Sequence, residues 1–109
     1  MLLWIITKLN EHMGNSSHAE RRATRALAKF MREHEAHPLS VQKVEAVLGL
    51  LEQGDLKMAR KAFDQIPIGG NGCINDWWPS VVYPHEDQEY VDAVFQALIN
   101  EWVRLMNIE

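Results

Sequence analysis

The sequence predicts an all-α domain of five helices, with one long ordered loop containing glycines and tryptophans between helices four and five. Three observations carry that prediction. Apolar residues recur at helical spacing in five separate stretches. Residues that cap or break helices sit between those stretches. The one remaining stretch, residues 67–84, has neither a long helical period nor clean alternation.

The first predicted helix covers residues 2–13, with Leu2, Ile5, Ile6, Leu9 and Met13 on one face and Gly14-Asn15 as its end. The second covers residues 18–34. Ser17 and Glu20 have the spacing of a capping box, Ala19, Ala23, Ala26, Leu27, Phe30 and Met31 form the apolar stripe, and Pro38 closes the segment. The third, residues 41–51, is capped by Ser40 and buries Val41, Val44, Val47, Leu48 and Leu51. Gly54 breaks the chain, and Asp55 caps a fourth helix over residues 56–65 with Leu56, Ala59, Ala62, Phe63 and Ile66 inward. The fifth covers residues 86–106. Its first turn is acidic, as the positive helix end favours, and Val91, Val94, Leu98, Trp102, Leu105 and Met106 supply its buried face.

The chain has 109 residues, which suits one domain spanning 1–109. Four Trp, three Phe and five Met provide core volume, so global disorder is not expected. A single cysteine, Cys73, excludes an internal disulfide and a cysteine zinc site. The opening Met-Leu-Leu-Trp-Ile-Ile run has no basic flank and ends at Ile6, so it reads as a core helix rather than a signal or a membrane span. The cytoplasm is the expected compartment. Residues 50–63 are similar to one turn of a tetratricopeptide hairpin, but no second copy follows at the required period.

Charge is divided unevenly. Residues 1–62 carry ten Lys/Arg against seven Asp/Glu, a net +3; residues 63–109 carry one Arg against eight Asp/Glu, a net −7. An acidic half repels nucleic acid and attracts a basic partner. On the second helix, His18, Arg22, Arg25, Lys29 and Arg32 share one face. Glu20, Glu33 and Glu35 interrupt it, so it reads as a solvated surface rather than a phosphate-binding one.

The loop Gly69-Gly70-Asn71-Gly72-Cys73-Ile74-Asn75-Asp76-Trp77-Trp78 is the most unusual stretch. Gly69, Gly70 and Gly72 permit positive φ, and Asn75 can cap local backbone, so these four are expected to be structural. The Gly-Lys-Ser/Thr end of a phosphate loop is missing. This loop and the helix after it resemble an uncharacterised family of small bacterial helical proteins with a Gly-Gly-x-Gly-Ser-x-Asn-Asp-Leu signature. Gly69, Gly70, Gly72, Asn75 and Asp76 match it, Cys73 replaces Ser, and Trp77 replaces Leu. The resemblance covers about the last 40 residues and implies no activity. Small acidic helical proteins of this kind are similar to immunity proteins that neutralise bacterial toxins.

Catalysis has a weak basis. Cys73 with His85 as base and Asp76 as orienter would make a nucleophile, but a small buried thiol accounts for Cys73 equally well. His34 and His37 have helical metal-pair spacing without a third ligand, so no metal or cofactor is expected, and exposed or capping histidines are the better reading. A partner surface is the stronger reading. Asp76, Glu86, Asp87, Glu89 and Asp92 lie beside Trp77, Trp78 and Tyr83. Carboxylates around aromatic anchors suit tight binding of a basic protein. The expectation is a non-catalytic binding module, most concretely an immunity protein masking a basic, nuclease-type toxin. The alternatives are a regulatory or scaffold protein acting as a homodimer, and a Cys-dependent enzyme.

Overall fold

The computed structural model describes residues 2–68, 74 and 77–107, with side chains from Ser17 onward. Among the described residues there are four α-helices: α1 (Leu2–Glu33), α2 (Pro38–Glu52), α3 (Leu56–Asp64) and α4 (Gln88–Met106). No strand occurs among the described residues.

The all-α class holds, but the expected five helices are four, because the first two are one. Helix α1 runs through Gly14-Asn15-Ser16-Ser17 for 32 residues without a break. Gly costs about 1 kcal/mol against Ala in a helix interior, and Asn and Ser some tenths each. Stopping there would instead require a second nucleation, with six dihedrals fixed for one hydrogen bond. Ser17 therefore sits inside the helix and is not its cap. A test follows from this continuity. Gly14→Ala should raise helicity and stabilise α1 locally by about 1 kcal/mol. Loss of helical circular dichroism in that variant would instead mean that Gly14 ends a helix.

The end of α1 is set by Glu35, whose φ is 65°. Ala36 N–H donates to Met31 O at 2.9 Å, the six-to-one bond of a Schellman turn. Helix α2 then starts at Pro38, with its cap three residues before the expected Ser40. His37 is its N-cap: its Nδ1 accepts from Leu39 N–H at 3.1 Å, and Pro38 takes the first helical position, where a missing N–H costs nothing. Gly54, at φ 80°, closes α2 with Asp55 N–H on Leu50 O at 2.9 Å. Asp55 caps α3 as expected, accepting from Met58 N–H at 3.1 Å. The last helix starts at Gln88 and not at Glu86, because Asp87 takes the cap position and accepts from Tyr90 N–H at 2.8 Å.

Helices α2 and α4 both pack on α1, and α3 packs on α2. The expected Leu27, Phe30, Met31, Val41, Val44, Val47, Leu51, Ala59, Phe63, Ile66, Val91, Trp102, Leu105 and Met106 are buried. Phe95 and Ile99 join them, while Ala19 and Ala26 are exposed. The centre is polar at one point. Trp102, wholly buried, donates its indole N–H to Thr24 Oγ1 at 2.9 Å, and Thr24 donates to Glu20 O at 2.6 Å. Phe63 meets the Trp102 ring edge-on at 4.9 Å. The basic face of α1 is exposed throughout at His18, Arg22, Arg25, Lys29 and Arg32.

Candidate functional site: an anchored aromatic segment

The segment 77–92 leads into and includes the first turn of α4, and it is fastened at three places. Trp77 is half-buried, its ring edge-on to Phe95 at 5.0 Å and to Phe30 at 6.3 Å. Pro79 is buried, and its carbonyl accepts from Gln88 Nε2 at 2.9 Å. The third fastening is Glu86. Tyr83 O accepts from Glu86 N–H at 3.0 Å, closing a turn. The Glu86 side chain folds back over that turn, and its Oε1 accepts from Val82 N–H at 3.0 Å and Tyr83 N–H at 2.9 Å. Its Oε2 lies 2.7 Å from His34 Nε2, with both side chains 4% exposed.

The His34 ring links the segment to α1. Its Nδ1 is 2.8 Å from Phe30 O, a group that can only accept. Its Nε2 faces a carboxylate oxygen. The ring thus bridges the Phe30 carbonyl and the Glu86 carboxyl group, tying the segment to α1. Phe30 stacks on the same ring at 4.0 Å. Burial pushes the Glu86 carboxyl up, but the Tyr83 amide, the His34 ring and the Val82 amide together outweigh it and hold the group at about 2. The unfolded chain, at about 4.5, takes up this proton first. The contribution of Glu86 is thus complete above pH 4.5 and is lost as pH falls toward 2. Urea midpoints of the wild type should fall through that window, and those of Glu86→Gln should fall less steeply. Parallel curves would show that Glu86 does not couple folding to protonation.

The segment displays apolar surface outward. Trp78 is 71% exposed, and Val81, Val82, Tyr83 and Tyr90 are all exposed. Tyr83, His85 and Tyr90 form an aromatic row, with Tyr83 and His85 stacked at 6.0 Å and Tyr90 edge-on to His85 at 5.9 Å. Burial, and then the neighbouring carboxylates Glu33 and Glu86, push the Tyr83 hydroxyl above its ordinary pKa. Asp87 and Glu89 are exposed beside this row, and Asp92 accepts from Gln88 Nε2 at 2.9 Å.

The expected partner-binding residues therefore divide. Trp78, Tyr83, Asp87 and Glu89 face solvent, Asp92 is half-buried, and Trp77 and Glu86 are turned inward as fastenings. Asp76 lies outside the described residues, as do Gly69, Gly70, Gly72, Asn75 and Cys73. Sequence reasoning missed Val81, Val82 and Tyr90, and it missed His34 as a buried anchor. A signal for His34 exists: it falls on the same helical stripe as Leu27 and Phe30, and a core histidine calls for a charged partner.

His85 is engaged by two aromatic rings, and His37 is a helix cap. No metal-ligating cluster occurs among the described residues. A groove of about 480 Å³ between α1 and α4 is lined by Ala19, Arg22, Ala23, Ala26, Glu101 and Leu105. Among the described lining residues the one carboxylate, Glu101, is paired with Arg104 at 2.6 Å. No described helix is long and apolar enough to cross a membrane. No family model, curated protein or solved structure matches the chain.

Proposed function

We propose that this protein is a non-catalytic binding module whose segment 77–92 docks a basic protein. The observation that supports this reading is a set of exposed aromatic side chains on an anchored segment. Trp78, Tyr83 and Tyr90 stand on a segment held by the buried His34–Glu86 pair. Aromatic side chains have only two rotatable side-chain bonds and so lose little entropy on binding, and surrounding carboxylates steer a cationic partner. The most concrete form of the proposal is a bacterial immunity protein acting in the cytoplasm. A nuclease must attract phosphates, so its cleft is basic, and an acidic surface with aromatic anchors can occupy that cleft by matching its charge. The test is surface-plasmon kinetics against the product of the neighbouring gene at low and high salt. Tight binding whose association slows with salt supports the proposal. Absence of binding to a neighbouring toxin overturns its immunity form.

A further inference from the structure

Helix α1 is longer than anything that packs against it. Helix α4 runs antiparallel to it: His34 meets Glu86, Phe30 meets Phe95 at 6.1 Å, Thr24 meets Trp102, and Ala19 shares a groove with Leu105. The last residue of α4, Met106, thus lies near residue 19 of α1. Helix α2 also runs back along α1, with Glu45 beside Arg32 at 3.4 Å, and ends at Glu52. Residues 2–16 of α1 continue past both neighbours as an arm of about 22 Å, at 1.5 Å per residue. The dimensions agree. The longest extent is 53 Å, and the radius of gyration is 15.8 Å, against about 13 Å for a compact chain of this length.

The arm keeps the phase of the body. Along α1, Leu2, Ile6, Leu9, Met13, Ser16, Glu20, Ala23, Leu27, Phe30 and His34 follow an alternating four-three spacing, the pattern of a helix–helix seam. From Glu20 onward this stripe faces the core: Glu20, Leu27, Phe30 and His34 are buried and Ala23 is partly so. N-terminal to Ser16 the same stripe is apolar at four successive positions, and no described helix runs beside it.

We infer that the arm is a self-association surface that pairs antiparallel with the arm of a second copy of this chain. Three features favour a second copy. The arm is neutral, with Lys8 balanced by Glu11, so two arms can lie together around a two-fold axis without repulsion. It lacks the Lys/Arg-rich face of a helix that binds a membrane surface. Six apolar residues (Leu2, Leu3, Ile5, Ile6, Leu9 and Met13), at roughly 60–120 Å² each, give the two arms roughly 700–1,400 Å² of covered surface, a range whose upper part reaches the roughly 1,200 Å² at which specific interfaces begin. The stripe also sets the register. Pairing Ile6 with the partner's Leu9, and Leu2 with the partner's Met13, makes four apolar layers. Sliding by one heptad sets Leu2 against Glu20 and Ile6 against Ser16. Glu20 is 6% exposed and already faces the core, so the slid register would press the second arm into space that the body occupies.

The test is sedimentation equilibrium of the full chain from about 1 to about 100 μM, the range that brackets micromolar association. The wild type should approach twice its 12.6 kDa mass. Leu9→Glu should weaken association by at least about tenfold while the thermal transition of the body is kept, since residue 9 lies outside it. In a Cys73→Ser background, mixing Ile6→Cys with Leu9→Cys should give a disulfide-linked heterodimer ahead of either homodimer. A wild type that stays monomeric, a dimer indifferent to Leu9→Glu, or a monomer that cosediments with phosphatidylcholine–phosphatidylglycerol vesicles through the arm would each overturn the inference. Trp78→Ala should not alter the assembly, which separates this surface from the segment 77–92.

Discussion

Trp102→Ala should bring the fold to the edge of collapse, with a loss of about 3–5 kcal/mol from the roughly 5–15 kcal/mol that domains of this size possess. The Trp102 ring is fully buried and meets Phe63 edge-on, and its N–H is satisfied by Thr24. Truncation opens a cavity at the junction of α1, α3 and α4 and leaves the Thr24 hydroxyl without its donor. Urea denaturation followed by circular dichroism measures the loss. A cost below about 1 kcal/mol would mean that the site collapses around the change or that the indole is not buried. Thr24→Val provides the companion measurement. It keeps volume but strands a buried N–H, so about 1–3 kcal/mol is expected from hydrogen bonding alone.

Trp78→Ala should leave the fold intact and cost about 2 kcal/mol of partner binding, about thirtyfold in Kd, through faster dissociation. Trp78 is 71% exposed, so its removal leaves the core untouched. Charge reversal acts on a different rate. Glu33→Lys with Glu89→Lys should slow association at low salt, and the effect should shrink toward 1 M salt, where the Debye length is about 3 Å. Those two carboxylates are exposed, but Glu33 neighbours Tyr83 and Glu89 lies in the first turn of α4, so an unchanged thermal transition of the double variant is the control. Glu86 and Asp87 are unsuitable, because one latches His34 and the other caps α4. An affinity indifferent to salt, to both reversals and to Trp78 would reduce this face to a solvated surface.

The helical class, the inward faces of α2, α3 and the last helix, and the Asp55 cap were legible in the sequence, because each follows from spacing or from capping chemistry within one turn. The exposure of the basic face of α1 was legible for the same reason. What local signals mislead about is continuity and direction. Gly14-Asn15 and Ser17–Glu20 have the composition of a helix end and a helix start, yet neither forms. Their penalties are small, and no chain reversal follows for them to serve. Likewise Pro38 has the character of a stop, but with Glu35 in a positive-φ turn before it, it becomes the first residue of α2.

The division at the candidate site has one physical cause. Composition placed carboxylates and aromatic rings in the same segment, and so determined that the last part of the chain is acidic and able to present anchors. It did not determine which of them face out. His34 and Glu86 are 52 positions apart, and only packing α4 antiparallel to α1 brings the ring to the carboxylate. Once they meet, Glu86 ceases to be a surface charge and becomes the fastening of the segment, and Trp77 is held under it against Phe30 and Phe95. Trp78, its neighbour in sequence, is left facing solvent. Side-chain type is a local property, but inside and outside are set by the elements that close over a residue, and here those elements come from opposite ends of the chain.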